Sequence, residues 1–402
     1  MKKDNNTLRC ALIFLGPFPV GNVSSLRIMS YCKALAKEGA FVKVLLLAPT
    51  AEAAVNEFKS GNVEGVEYQY MTNITWKKKD TPTYVKFFYY VKGVLISFKY
   101  LRQDKINCLL SYHNELFSNI FFRIFTKIIG IPFIIDKTEY PNGYFKMSTF
   151  RKRIENFKLK MFDGFIVITN ELERFYLQIT NYEKSKFFLL PMTIDPQRYI
   201  GFEKDKDSKR YIAVVFGTHN RDGLFESVLA YHKYCKLKGE FYLDLILIGD
   251  FLGLCNSFPE CNQILNYIKD HNLENNIEFK GLVSINEVPK ILLNAKCLLT
   301  TPLEYVSGGF PTKLGEYLLS GVPVVATSAG EIEYYMTHNK NIFLSNVGDL
   351  ESIAKNILFI DLNENEAKII GESGKKIALT VFNAETYSEK FIEFLNSFSN
   401  SN

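Results

Sequence analysis

The stretch Ser307-Gly-Gly-Phe-Pro-Thr-Lys313-Leu-Gly-Glu316-Tyr-Leu-Leu-Ser-Gly321-Val-Pro-Val-Val-Ala-Thr327 decides the fold. It reads as a glycine-rich turn, a short helix opened by Pro311, a stop at Gly321 and a buried strand. Proline suits a first helical position because its missing N–H has no intrahelical partner there. Glycine suits the left-handed residue after a helix, and the apolar run that follows fits an interior strand. Gly308 and Gly309 then lie just before a helix N-terminus, where backbone N–H groups and the helix dipole favour a phosphate. Lys313 and Glu316 are three residues apart and share a helix face. An ammonium at an anion site, with a carboxylate one turn deeper, suits a nucleotide: Lys313 to a diphosphate, Glu316 to ribose hydroxyls. The alternative is a surface helix with an ordinary i,i+3 Lys/Glu pair.

Outward from this stretch, one strand–loop–helix grammar runs twice along the chain. The first run opens with the strand Ala11–Leu15, the loop Gly16-Pro-Phe-Pro-Val-Gly21, a helix through Arg27 ending at Gly39, and the strand Val42–Leu47. It continues through the strand Asn107–Tyr112 to His113-Asn-Glu115, then Pro132–Asp136 to the loop Lys137-Thr-Glu139, and closes near Asp195. The second run restarts at Tyr211–Phe216 with the loop Gly217-Thr-His-Asn-Arg-Asp-Gly223. Doubly wound parallel sheets bind ligands beyond the C-terminal ends of their strands, where these loops fall. Gly16 and Gly21 do not form a dinucleotide fingerprint, and no phosphate-binding P-loop occurs. The connector carries Asp205-Lys-Asp207, a D-x-D form, but within a charged linker that lacks a preceding buried strand, so no metal site is read from it. A histidine placed like His113 can stabilise charge at a reacting centre, or be a hydrogen-bonded structural residue.

The block Phe310-Pro-Thr-Lys-Leu-Gly-Glu-Tyr-Leu followed by Ser-Gly-Val-Pro-Val-Val-Ala-Thr resembles the donor-nucleotide motif of glycosyltransferase family 4. That family comprises retaining enzymes of GT-B fold, so the resemblance implies an α/β protein with two Rossmann-like doubly wound domains facing a central cleft. The implied domains are 1–195, on the acceptor side, and 196–383, on the nucleotide-sugar side. A terminal helix, about 384–402, would pack back on the first domain. The family motif has two glutamates; Glu316 matches the second, which holds the ribose, while Gly308 stands where the first would help hold the sugar. Backbone N–H groups at Gly308 and Gly309 would have to serve instead, with Phe310 beside them at the donor. The resemblance further implies that the loop with Gly21 approaches the donor diphosphate, that His113 faces the donor sugar, and that Glu139 lines the acceptor cleft. The Gly217 loop matches a segment whose cations neutralise the leaving diphosphate. Thr218 stands where an arginine often does, so that role falls to Arg221, a fork-shaped phosphate donor. Glu304 lies outside the position of the missing glutamate.

The 402 residues exceed one typical core, which agrees with two domains. A net charge of +5 is too mild to draw an anionic partner by itself, so any such partner must meet a local patch. One patch stands out. Trp76-Lys-Lys-Lys79 precedes a helix expected over Tyr84–Arg102, rich in aromatics and lysines. Such a helix can lie in an anionic headgroup layer, or be an internal helix whose lysines snorkel outward. Nucleic acid is excluded as a partner because no recognised binding module accompanies the patch. No stretch offers about 18 uninterrupted apolar residues. The seven cysteines are scattered, and Cys255 and Cys261 fit no zinc spacing, so a reducing cytoplasm and no metal are expected.

The resulting expectation is a metal-independent retaining glycosyltransferase without a cofactor. It would move a sugar from a UDP- or GDP-linked donor to a glycan or lipid-linked acceptor, in surface polysaccharide assembly, in the cytoplasm or on the inner face of the plasma membrane. Its catalytic residues would be His113, Arg221 and Lys313. Two rivals share the donor chemistry: an epimerase of UDP-N-acetylhexosamines, which needs further acid/base carboxylates, and a catalytically silent scaffold.

Overall fold

Uninterrupted apolar runs between glycine-rich loops make short, fully buried strands, and the helices between them force parallel pairing. A computed structural model describes residues 7–50, 56–78, 80–205, 210–217, 220–258, 261–303 and 307–398. Lys79, Asp207, Thr218, His219 and Glu304 lie outside these. The chain divides into two units, Met1–Asp195 with Ser307–Gly309 and Asn383–Asn402, and Pro196–Val306 with Phe310–Phe382.

The first unit is built on β1 (Arg9–Phe14), β2 (Phe41–Leu46), β3 (Ser60–Val63), β4 (Val66–Tyr70), β5 (Cys108–Ser111), β6 (Phe133–Lys137), β7 (Gly164–Val167) and β8 (Phe187–Leu189). They form one sheet in the order β3-β4-β2-β1-β5-β6-β7-β8. All pairings are parallel except β3 with β4, a hairpin that the sequence reading did not foresee. Its outer strand, β3, is short and polar, and the two strands are joined by Glu64-Gly65, both at positive φ. The helices are α1 (Val23–Lys37), α2 (Thr83–Gln103), α3 (Leu116–Ile129), α4 (Thr149–Leu159) and α5 (Asn170–Thr180). Asn22 caps α1 by accepting from Ser25 N–H, so the helix begins four residues before Arg27. Arg27 is buried and bridges α1 to β6 through Asp136, at 3.0 and 3.2 Å, while also donating to Pro191 O and Leu190 O. Gly93 lets α2 seat directly on the end of β2, where a Cβ would come within 1.7 Å of Leu47 O.

The second unit holds β9 (Tyr211–Val215), β10 (Asp244–Ile248), β11 (Ile277–Gly281), β12 (Cys297–Thr300), β13 (Val324–Thr327) and β14 (Phe343–Ser345), in the order β11-β10-β9-β12-β13-β14 and parallel throughout. Its helices are α6 (Leu224–Lys238), α7 (Phe251–Ser257), α8 (Asn262–Asp270), α9 (Val288–Asn294), α10 (Lys313–Ser320), α11 (Ile332–Tyr335), α12 (Leu350–Leu362) and α13 (Glu364–Thr380). The last helix, α14 (Ser388–Ser397), belongs to the first unit, where Phe391 and Leu395 join the core and Phe391 and Phe394 stack on Phe188. Setting aside β3 and β8, each sheet has the 3-2-1-4-5-6 order of a doubly wound nucleotide-binding fold. That order places a ligand crevice where the winding reverses, between β1 and β5 and between β9 and β12.

Two expectations are corrected. Pro311 does not open α10: Thr312 is its N-cap and Lys313 its first residue, so the helix starts two residues later. Cys255 and Cys261 are joined in a disulfide, their Cα atoms 5.3 Å apart across the turn from α7 to α8. The sequence reading sets this spacing against metal ligation alone, whereas a six-residue separation also allows a local disulfide. The other cysteines are free and buried, and Cys10, Cys108 and Cys297 are small core residues as expected. Among the described residues no helix is long and apolar enough to cross a membrane.

Candidate active site

In the second unit, the reversal point is flanked by the loop after β9 and by the start of α10. The loop turns through a single 3₁₀ turn, Asn220–Asp222, so that Asp222 folds back onto its own beginning. Its Oδ2 accepts a hydrogen bond from Gly217 N–H at 2.6 Å and pairs with Lys313 Nζ. The structure thus brings Gly217, Asp222 and Lys313 into one cluster, with Arg221 next in sequence. Burial lowers the Lys313 pKa; Asp222 opposes that shift, and the charge of Arg221 adds to it. A second cation this close to a half-buried ammonium makes the cluster a place where an anion is electrostatically welcome.

Glu316 lies one turn further along α10 and takes an ion pair from Arg198 Nε at 3.3 Å. Arg198 sits in the 3₁₀ turn Pro196–Tyr199 and also donates to Ile285 O, while Tyr199 O–H donates to Glu316 O. These contacts fix the carboxylate's direction. Phe310 is placed differently from the expectation. Its ring is buried between Tyr335 and Phe382, so it anchors the motif from inside the core.

Gly308 and Gly309 group with the first unit. Ser307 O accepts from Tyr140 N–H, and Gly308 O from Thr169 Oγ1 at 2.6 Å. Gly308 has φ 69°, and a Cβ there would press on the Tyr140 ring and Leu172. A glutamate side chain has no room at this position, which gives the departure from the two-glutamate motif a steric basis. Gly309 packs against the loop after β6, where a Cβ in its place would meet Thr138 O at 2.6 Å and the Glu139 side chain at 3.5 Å. Glu139 is therefore gathered with Gly308 and Gly309, while its backbone carbonyl is held by Tyr176 O–H.

His113 follows β5 and lines a first-unit cavity of about 420 Å³ with Gly16, Pro17, Lys77 and Tyr90. Its ring stacks on Phe14 at 5.3 Å, and its buried Nε2 has no hydrogen-bond partner among the described residues. Burial, with the charge of Lys137, brings the imidazole down to about 4, so it is neutral at pH 7. Lys137, at the end of β6, is itself brought down to about 8 by burial. Gly21 packs against Pro17 and Ser25 in the loop entering α1.

Three contributors escaped the sequence reading. Asp222 stands unremarked beside Arg221 in the loop motif, and Arg198 lies just past the end of the first run with no motif around it. Lys137 opens the loop Lys137-Thr-Glu139 in the sequence, although a lysine ending an apolar strand is a signal that marks it. Among the described residues, no three His, Cys, Asp or Glu side chains gather as a metal site.

Residues 199–377 match the family model "Glycosyl transferases group 1". The chain carries a group 1 glycosyl transferase domain. That domain contains Gly217, Arg221, Asp222, Lys313 and Glu316, whereas Gly21, His113, Lys137 and Glu139 lie outside the matched range. The 2-deoxystreptamine N-acetyl-D-glucosaminyltransferase of Niallia circulans is 29% identical over 122 residues, 30% of this chain. The match spans 31% of that relative's length. Around the group 1 domain the fold extends over the whole chain. Sucrose-phosphate synthase from Thermosynechococcus elongatus superposes with a TM-score of 0.73 at 16% identity, covering 98% of this chain and 100% of that one. Anabaena Alr3699/HepE, solved in complex with UDP-glucose, gives 0.68 at 15% identity over 97% and 100%. The fold is GT-B.

Proposed function

We propose that this protein transfers a sugar from a nucleoside-diphosphate donor to a glycan or lipid-linked oligosaccharide acceptor. The observation that carries the reading is α10, which presents Lys313 and Glu316 one turn apart beside the Gly217–Asp222 loop. Lys313 and Arg221 bind the diphosphate, and the start of α10 adds its dipole. Glu316, oriented by Arg198, accepts from the ribose hydroxyls. UDP is favoured over GDP as the leaving group, because a structure of the same fold was solved with UDP-glucose.

As the bond from the anomeric carbon to the diphosphate oxygen breaks, negative charge grows on that oxygen. Preorganised cations stabilise it without reorganising, a contribution that typically outweighs the other catalytic terms. This arrangement asks for no metal. The acceptor hydroxyl attacks from the same face, its proton passing to the departing diphosphate oxygen as the new C–O bond forms, which retains the anomeric configuration. Neutral His113 offers Nε2 to the sugar or acceptor, and Glu139 with Gly308 and Gly309 borders the acceptor. A lipid-linked acceptor would be met at the inner face of a membrane.

The test is calorimetric titration with UDP, GDP, ADP and CMP on the wild type and on Glu316→Ala. One nucleotide should bind, and the variant should weaken it at least ten-fold, about 1.4 kcal/mol. A folded protein that binds none of the four overturns the reading.

A further inference from the structure

The helices α2 and α3 pack on each other through aromatic rings: Phe87 and Tyr90 meet Phe117, and Phe98 stacks on Phe125 at 4.6 Å. With those faces spent on the contact, the sequence leaves a second apolar face on each helix turned outward. On α3 it is a stripe at four-residue spacing, Leu116, Ile120, Ile124 and Ile128, of which Ile124 is 55% and Ile128 70% exposed. On α2 it is Tyr84, Phe88 and Leu95, with Phe88 62% exposed. A soluble surface scatters its large apolar residues; a continuous outward stripe on two neighbouring helices marks an interaction surface.

The charge around the stripe selects the partner. The two helices carry Lys86, Lys92, Lys99, Arg102, Arg123 and Lys127 and no carboxylate. Four of these cations, Lys92, Lys99, Arg102 and Lys127, are exposed, whereas Arg123 is spent on Asp163. A second copy of the chain would meet this face with the same face across a two-fold axis, setting lysine against lysine. A partner that is anionic at its surface and apolar beneath suits both features. We propose that the outward faces of α2 and α3 form one docking surface for an anionic lipid bilayer, in which the α3 stripe enters the headgroup–acyl boundary and the flanking cations hold the headgroups.

This deepens the lipid-linked acceptor reading and rests on it for the purpose of the surface. It also moves the contact. Lys77, which the sequence grouped with the basic patch, donates to Pro49 O at 2.7 Å and faces the cavity beside His113. Tyr90 lines the same cavity from the other side of α2. One helix therefore separates the proposed bilayer from the cavity, so an acceptor whose lipid stays in the membrane has a short path to His113.

The experiment is flotation of the full chain with vesicles of phosphatidylcholine alone and of equal parts phosphatidylcholine and phosphatidylglycerol. It is run on the wild type, on Ile120→Ser/Ile124→Ser/Ile128→Ser, and on Lys92→Gln/Lys99→Gln/Lys127→Gln. Wild type should float only with the anionic vesicles. Each neutralised lysine should weaken binding about five-fold, and the isoleucine variant should lose about ten-fold or more. Retained UDP binding in both variants verifies the fold and keeps this test apart from the transferase reading. The proposal is overturned if the wild type does not float with anionic vesicles, or if both variants float like it. It is equally overturned if light scattering finds a wild-type dimer that the isoleucine variant reduces to monomer.

Discussion

The Lys313–Asp222 pair makes an unusual demand on the donor. The ammonium is paired with a carboxylate, which is itself anchored by Gly217 N–H. A diphosphate must share Lys313 with Asp222 and approach a negative charge in doing so. Replacing Asp222 with asparagine keeps the shape and an acceptor for Gly217 N–H while removing that charge. A carboxylate about 6 Å from a phosphate charge, at an effective dielectric near 20, costs on the order of 3 kcal/mol, and screening by solvent and salt at this partly exposed site cuts this to about 1. Asp222→Asn should therefore tighten UDP about five-fold, roughly 1 kcal/mol.

Lys313→Met acts the other way. It forfeits a charge-assisted hydrogen bond of about 1.5–3 kcal/mol, less the roughly 0–1 kcal/mol of the ion pair given up on binding, so the loss is about 0.5–3 kcal/mol and UDP should weaken about 2- to 140-fold. Uridine, which lacks phosphate, should bind the wild type and both variants alike. The double variant should keep a gain from Asp222→Asn at least as large as the wild type's, because the carboxylate–phosphate repulsion persists without Lys313. Calorimetric titration of the four proteins with UDP and uridine measures all of this. If Asp222→Asn instead weakens UDP five-fold or more, the reasoning is refuted, and Asp222 holds Lys313 in place for the ligand rather than competing for it.

Two further outcomes follow from buried charge. Arg27→Ala leaves Asp136 buried and unpaired, so urea unfolding should show a loss of about 3–5 kcal/mol; a loss below about 1 kcal/mol would mean that the site relaxes to admit water. His113 has its folded-state pKa near 4, below its ordinary value of 6.5, so the unfolded chain binds the extra proton between those values and the folded chain does not. The stability that this group contributes is complete above about pH 6.5 and falls away toward pH 4. His113→Asn should flatten that part of the stability–pH curve, and an unchanged slope between pH 6.5 and 4 would show that the imidazole titrates as if exposed.

The fold was legible because it rests on local signals that tertiary packing had no reason to override. Apolar runs such as Cys10–Phe14 and Leu245–Ile248 can only be buried strands once a helix-length segment follows each. The hairpin Ser60–Tyr70 is hidden for the opposite reason: three of the four residues of β3 are Ser60-Gly-Asn, which have no strand-like side chains and pair with β4 through the backbone. The site divides along a similar line. Lys313 and Glu316 could be read together because a helix fixes their spacing. Arg198, Asp222 and Lys137 could not, because each reaches its partner through a loop or across strands, a relation that exists only after the sheet has formed.

The same distinction explains why the apolar surface was placed on one helix instead of two. The lysines and aromatics of α2 are conspicuous as composition, whereas α3 reads as an ordinary amphipathic core helix, Leu116-Phe-Ser-Asn-Ile-Phe-Phe-Arg-Ile-Phe-Thr-Lys-Ile-Ile129. Its apolar residues are too many for one face. Packing assigns Phe122 to the core and Phe117 and Phe125 to α2, and the residues left over include the outward Leu116, Ile120, Phe121, Ile124 and Ile128. A helix with more apolar positions than its neighbours can cover must either aggregate or meet a further apolar phase. The absence of carboxylates on both helices is the observation on which the proposed anionic bilayer rests.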